Sequence, residues 1–120
     1  MEIRALIVDD NERFLEAARS SLSRDGINVV GTARTSAEAV RLAEELSPNL
    51  VLVDISLGDE SGFELVRELA ERFPQLGPGL VLISTRAEDD FADLIATSPA
   101  VGFISKSQLS PKGLRDLVSG

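Results

Sequence analysis

The sequence predicts an α/β fold in which five parallel strands form a doubly wound sheet with helices on both faces. Two observations carry this. Five short apolar runs recur along the 120 residues, and each is followed by a stretch with apolar residues at helical spacing. The runs show little polar alternation, as expected of strands buried on both faces. Strands alternating with helices of this length imply βαβ crossovers, and so parallel pairing.

Each element has its own warrant. Residues 3–8 are the first apolar run, closed by Asp9-Asp10. Asn11 is placed to cap a helix through about Ser23, with Phe14, Leu15, Ala18 and Leu22 on one face. Arg24-Asp25-Gly26 is a stop-and-turn signal. Residues 27–33 alternate in part, as an edge strand does. Thr35 or Ser36 caps the second helix, Glu38 lies in its first turn, and Ala39, Val40, Ala43 and Leu46 form its inner stripe. Ser47-Pro48-Asn49 ends it, because Pro cannot continue a helix. The third strand, residues 50–54, is four apolar residues running straight into Asp54. A loop over 55–60 follows. Ser61 caps a helix through about Phe73, with Phe63, Leu65, Val66 and Leu69 apolar. Residues 74–79, rich in Pro and Gly, are the clearest loop in the chain. Residues 80–83 are the fourth strand, ending at Ser84-Thr85. A helix is expected over 88–97 with Phe91, Leu94 and Ile95 inward, then a fifth strand over 101–104 ending at Ser105-Lys106. Ser110-Pro111 reads as an N-cap followed by Pro at the first helical position, opening a helix to about Val118.

Composition narrows the function. At 43% apolar residues the chain can build a real core, and its length suits one domain. A net charge of −8 opposes direct binding to a phosphate backbone and offers no basic face to a membrane. With no cysteine and no histidine, zinc-thiolate sites, Cys nucleophiles and His-dependent triads are all excluded. No stretch approaches the roughly 18 apolar residues that span a bilayer. Met1-Glu2-Ile3-Arg4 opens without an apolar h-region or cleavage site, so a cytoplasmic protein is expected.

Right-handed crossovers bring all the strand C-termini to one edge, where open α/β sheets bind ligands. That edge collects Asp9 and Asp10 from the first strand, Asp54 from the third, Ser84 and Thr85 from the fourth and Lys106 from the fifth. Carboxylates about 4 Å apart repel by about 4 kcal/mol at an effective dielectric of about 20. Either a pKa rises or a cation binds. Oxygen-only ligands favour Mg²⁺. An aspartate beside that cation is suited to accept a phosphoryl group, since carboxylates form acyl phosphates. The cation and Lys106 would neutralise the transferring group, and Ser84 could donate a hydrogen bond to it.

This constellation resembles the receiver domain of two-component response regulators, and the resemblance covers the whole chain. Gaps of 44, 30 and 22 residues separate Asp10, Asp54, Ser84 and Lys106, which is the family's usual spacing. The resemblance implies a flavodoxin-like (βα)5 fold with strand order 2-1-3-4-5. It makes Asp54 the phosphoacceptor and Asp9 and Asp10 the acidic pair that binds Mg²⁺ together with Asp54 and the Ser56 backbone carbonyl. Ser84 and Lys106 would stabilise the phosphoryl group. Ser84 and Phe103 would form the switch: Ser84 moves inward, Phe103 fills the space behind it, and the surface of the fourth helix, fifth strand and fifth helix is remodelled. Gly62 falls at the family's glycine after the third-strand loop. The implied donor is a histidine kinase or a phosphotransfer protein. The domain would be a signalling phosphoacceptor rather than an enzyme, catalysing only its own phosphotransfer and autodephosphorylation. Relatives commonly dimerise through the switch surface. No nucleic acid or membrane partner is implied. The expectation is a single domain over 1–120, standing alone or taken from a longer regulator.

Four departures stand out. Lys106 precedes Ser107 where receivers often carry a cis Lys-Pro, and Gly58 replaces a loop proline, so a looser loop is expected there. Ser84-Thr85 offers two adjacent hydroxyls, of which the spacing selects Ser84. Ser98-Pro99-Ala100 stands where many relatives have Gly-Ala. Ser56 and Arg86 flank the site mouth and are placed to tune water access. Glu88, Asp89, Asp90 and Asp93 read as a solvated helix face, and Phe103 alone reads equally well as core. Two other functions compete. A phosphatase of the haloacid-dehalogenase type also uses an Asp nucleophile and Mg²⁺, but after its first strand and with a second Asp two residues later, where Asn11 stands here. A non-phosphorylated interaction module would keep only the fold.

Overall fold

Leu50, Val51, Leu52 and Val53 are all buried, and consecutive strand residues point to opposite faces, so this strand needs cover on both sides. The computed structural model, which describes residues 2–119, supplies it. Its main elements are β1 (Arg4–Val8), α1 (Glu12–Arg24), β2 (Asn28–Ala33), α2 (Ser36–Leu46), β3 (Leu50–Asp54), α3 (Gly62–Arg72), β4 (Leu80–Ser84), α4 (Ala92–Ala96), β5 (Gly102–Ser105) and α5 (Pro111–Ser119). The strands form one parallel sheet in the order β2-β1-β3-β4-β5, the expected flavodoxin-like arrangement. Met1 and Gly120, the ends of the expected domain, lie outside the described residues.

Alternate strand residues feed two cores. Leu6, Val8, Val51, Val53, Leu80 and Leu82 pack with Ala39 and Ala43 of α2 and Leu65, Val66 and Leu69 of α3. Ala5, Ile7, Leu50, Leu52, Val81 and Ile83 pack with Leu15, Ala18 and Leu22 of α1 and Leu114 of α5. Fully burying one such aliphatic side chain is worth about 1.5–3 kcal/mol, so a one-residue slip of β3 is strongly disfavoured. The same apolar run therefore fixes where Asp54 emerges.

The caps follow the sequence closely. Asn11 Oδ1 accepts from the backbone N–H of Arg13 and Phe14 at 3.0 and 3.2 Å. Thr35, not Ser36, caps α2, with its Oγ1 accepting from Glu38 N, while Glu38 reaches back to Arg34 N at 2.9 Å. Ser61 Oγ accepts from Phe63 N, and Ser110 Oγ from Gly113 N.

Other expectations need correction. Residues 74–79 are wound into 3₁₀ turns, for which Pro at the first position is already preset. The long fourth helix breaks into a 3₁₀ turn over Glu88–Phe91 and a five-residue α4. A 3₁₀ turn advances about 120° per residue rather than 100°, which shifts the apolar stripe. Phe91 and Ile95 still pack on the core, but Leu94 is 49% exposed. The fifth strand begins at Gly102, leaving Val101 outside it and exposed, and runs through Ser105.

Candidate functional site

Two strand ends place the three carboxylates. Asp9 extends β1 by one bond, its N–H donating to Ala33 O at 2.9 Å. Its side chain turns inward and is fully buried, with Oδ1 accepting from Asn11 N at 2.8 Å. Asp10, the next residue, is exposed at the rim. Asp54 closes β3 at 7% exposure, its Oδ1 accepting from Ser56 N at 3.1 Å. One oxygen from each of Asp9, Asp10 and Asp54 can lie within 4.8 Å of the others, so the sheet brings the predicted cluster together.

Lys106 enters from the 3₁₀ turn Lys106–Gln108 that follows β5. Its Nζ donates to Asp54 Oδ2 at 3.1 Å and pairs with Asp9 Oδ2 at 2.5 Å. The approach to Asp9 is off the hydrogen-bonding direction, so that buried oxygen has an ion-pair partner but accepts no hydrogen bond. Burial raises the Asp54 pKa above the usual carboxylate value and the Asp9 charge adds to this; the Ser56 N–H and Lys106 offset it in part. Burial works to lower the Lys106 pKa, but contacts with Asp9 and Asp54 outweigh it and hold the ammonium above its ordinary value.

The donor set fits a hard divalent cation. Three carboxylates converge with no nitrogen or sulfur among them, and one buried oxygen lacks a hydrogen bond. One ammonium leaves the three carboxylates two formal charges short of neutrality.

The remaining predicted residues divide. Ser84 is buried at 6% exposure, while Thr85 is exposed. Ser84 Oγ accepts from Arg86 N at 3.0 Å, which leaves its O–H as a donor at the strand end. Phe103 is half-buried and packs against the core; with Thr85, Arg86, Glu88, Ser105 and Ser107 it lines a shallow cavity of about 320 Å³. Ser56 is exposed beside Asp54.

Two local departures prove to be built structures. The loop after β3 is a hairpin, Ser56–Leu57 pairing with Glu60–Ser61. Gly58 takes the positive φ, 62°, that such a tight turn needs at its first central position. Glu60 then accepts from Ser36 N at 2.9 Å, tying the hairpin to the N-terminus of α2, so the loop expected to be loose is held. After Lys106, the side chains of Ser105, Ser107 and Gln108 hydrogen-bond at 3.2 Å across the turn where receivers often carry a proline, with no cis peptide among the described residues. Gly62 has a steric reason. A Cβ there would lie 2.0 Å from the Asp54 carbonyl oxygen, while its N–H bonds Ile55 O at 2.7 Å. α3 thus begins directly against the strand end that carries Asp54.

Sequence reasoning missed two contributors. Glu60 was read only as a loop residue. Phe14 was assigned to the core face of α1, yet its ring centroid lies 4.3 Å from Lys106 Nζ. The available signal was its place in the first turn of a helix that starts immediately after the acidic pair.

Residues 5–119 match the sequence profile of the response regulator receiver domain. The chain belongs to this family. This receiver domain is 31% identical over 117 residues to the response regulator GacA of Pseudomonas viridiflava, a match that covers 97% of this chain and 52% of that protein. The chain spans about half the length of the curated relatives it matches first. Among solved structures, a LuxR-family response regulator from an Aurantimonas species superposes with a TM-score of 0.87 at 25% identity, covering 100% of this chain and 87% of that one. A Burkholderia pseudomallei response regulator, solved with a phosphorylated aspartic acid, a calcium ion and citrate, superposes with a TM-score of 0.82 at 26% identity over 97% of this chain and 66% of that one. Among the described residues, no helix is long and apolar enough to cross a membrane.

Proposed function

We propose that Asp54 of this receiver domain is the phosphoacceptor. The observation that carries the reading is a buried strand-end carboxylate whose oxygens meet the Ser56 N–H and the Lys106 ammonium, with two further carboxylates within metal-ligand reach. A carboxylate oxygen of Asp54 attacks the phosphorus of a phosphohistidine on a histidine kinase or phosphotransfer protein. A P–O bond forms, the P–N bond breaks, and the imidazole nitrogen leaves with the electron pair and takes a proton. Mg²⁺, held by Asp9, Asp10, Asp54 and the Ser56 carbonyl, would neutralise charge on the transferring group. Lys106 moves from the Asp54 carboxylate to a phosphoryl oxygen, and Ser84 donates its free O–H to another. The phosphorylated aspartate of the Burkholderia relative supports the same chemistry here.

The consequence is a population shift. Ser84 drawn toward the phosphoryl group opens space behind it, Phe103 moves into that space, and the face made by α4, β5 and α5 changes shape. The half-burial of Phe103 and the adjoining cavity leave room for this movement. We assign that face to output contacts, pairing with a second copy included. The domain acts in the cytoplasm, and with its net charge of −8 any DNA or membrane output belongs to another domain or partner.

The test is incubation with Mg²⁺ and acetyl phosphate, read by intact mass, because the chain has no Trp or Tyr to report by fluorescence. Wild type should gain one phosphoryl group and Asp54→Asn none. Absence of the adduct in wild type, at donor levels that modify ordinary receivers, would sink the reading.

A further inference from the structure

Lys106 has a partner besides its carboxylates. Its Nζ stands over the face of Phe14, 4.3 Å from the ring centroid. Phe14 is fixed in the first turn of α1 by the bond from its N–H to Asn11 Oδ1, and its side chain packs against the core shared by α1 and α5. A ring face holds an ammonium within about 6 Å through its quadrupole. Lys106 otherwise has little to hold it. Its side chain is long and flexible, and it starts from a 3₁₀ turn outside β5. Its other two partners are also the groups that change. Asp54 gives up its full charge when it becomes an acyl phosphate, and the oxygens of Asp9 and Asp54 are those a divalent cation would share. The face of Phe14 is the same before, during and after transfer.

We propose that Phe14 is a positioning residue: its ring keeps the Lys106 ammonium over the end of β3 while the carboxylate partners are engaged elsewhere. The proposal rests on Asp54 being the phosphoacceptor. Leucine at this position would fill similar core volume without a quadrupole, whereas tyrosine keeps the ring.

Lys106 and Lys112 are the two lysines of the chain, so a Lys112→Arg variant assigns their ε-methylene NMR signals. In the metal-free wild type the ring current of Phe14 should move the Lys106 signal upfield of exposed Lys112. Phe14→Leu should abolish the displacement and Phe14→Tyr retain it. With Mg²⁺ and acetyl phosphate, acyl-phosphate formation should slow about threefold to tenfold in Phe14→Leu and stay within about twofold of wild type in Phe14→Tyr. Coincident lysine signals in the wild type would overturn the proposal without any variant having to fold. A wild-type rate in folded Phe14→Leu, or equal slowing in Phe14→Tyr, would overturn it as well. If the wild type itself forms no acyl phosphate, the reading of Asp54 fails, and the ring-current comparison still decides where Phe14 holds the lysine.

Discussion

At the scale of single residues, the site stores unfavourable electrostatics. Asp54 has its pKa raised chiefly by burial, so folding favours its protonated form. The stabilisation from that form is full below the unfolded value near 3.8 and is lost as pH rises through the higher folded value. At neutral pH the ionised carboxylate is a net cost. Asp54→Asn in chelator should therefore be more stable than wild type by about 1 kcal/mol near pH 7, with the gain shrinking towards about pH 4, as read by thermal melts. Lys106 has the opposite role. Its raised pKa means its contribution is full below 10.5 and is lost only as pH climbs through the still higher folded value. Lys106→Met leaves two buried carboxylates without a counter-charge and should cost on the order of 3 kcal/mol in chelator. Millimolar Mg²⁺ should restore part of that loss, as expected of a cation that binds the folded cluster and not the unfolded chain. A melting temperature for this variant that ignores Mg²⁺ would argue against a metal at these carboxylates.

At the scale of elements, the junction between β3 and α3 sets the geometry. Gly62 lets the first turn of α3 abut the Asp54 carbonyl. Gly62→Ala must push the helix off the strand end, because the obstacle is backbone rather than a flexible side chain. A loss of at least about 2 kcal/mol in denaturant melts, with weaker Mg²⁺ binding by calorimetry, is expected. A fold as stable as wild type would show that the helix shifts freely. This junction was legible in part: Ser61 as cap and Gly62 as the glycine after the loop could both be read from the chain. The hairpin and its Glu60 tie to α2 could not, since the bond joins residues 24 apart in sequence. α4 was misread for a different reason. Phe91, Leu94 and Ile95 have ordinary helical spacing, and no local signal announces the 3₁₀ turn that rotates Leu94 outward.

At the scale of the whole molecule, stability is uneven. β1 and β3 lie in the middle of the sheet and are almost wholly buried, while α4 has no buried residue and β5 is only half-buried. Segments with few buried contacts open at small free-energy cost. Amides of α4 should exchange with solvent at least about 100-fold faster than those of β1 and β3 in native-state hydrogen exchange. Protection in α4 equal to that of β3 would remove the physical basis for placing the switch there. The soft edge, β5 with α4, is separated from the rigid strand that carries Asp54 by the single strand β4.

The amino-acid sequence alone determined the α/β class, the five strands, nearly all the caps and the set of acidic, hydroxyl and ammonium groups at one edge. It could do so because apolar periodicity, capping and strand termination are local, and because crossover handedness gathers the strand ends whatever the side chains do. Only the tertiary structure decided which atoms meet. It buried Ser84 and exposed Thr85, set Lys106 between Asp9 and Asp54, brought Phe14 under that lysine and tied the β3 hairpin to α2. Each of these depends on the angles and distances at which elements pack across the sheet, and those are properties of the assembled core rather than of any one segment.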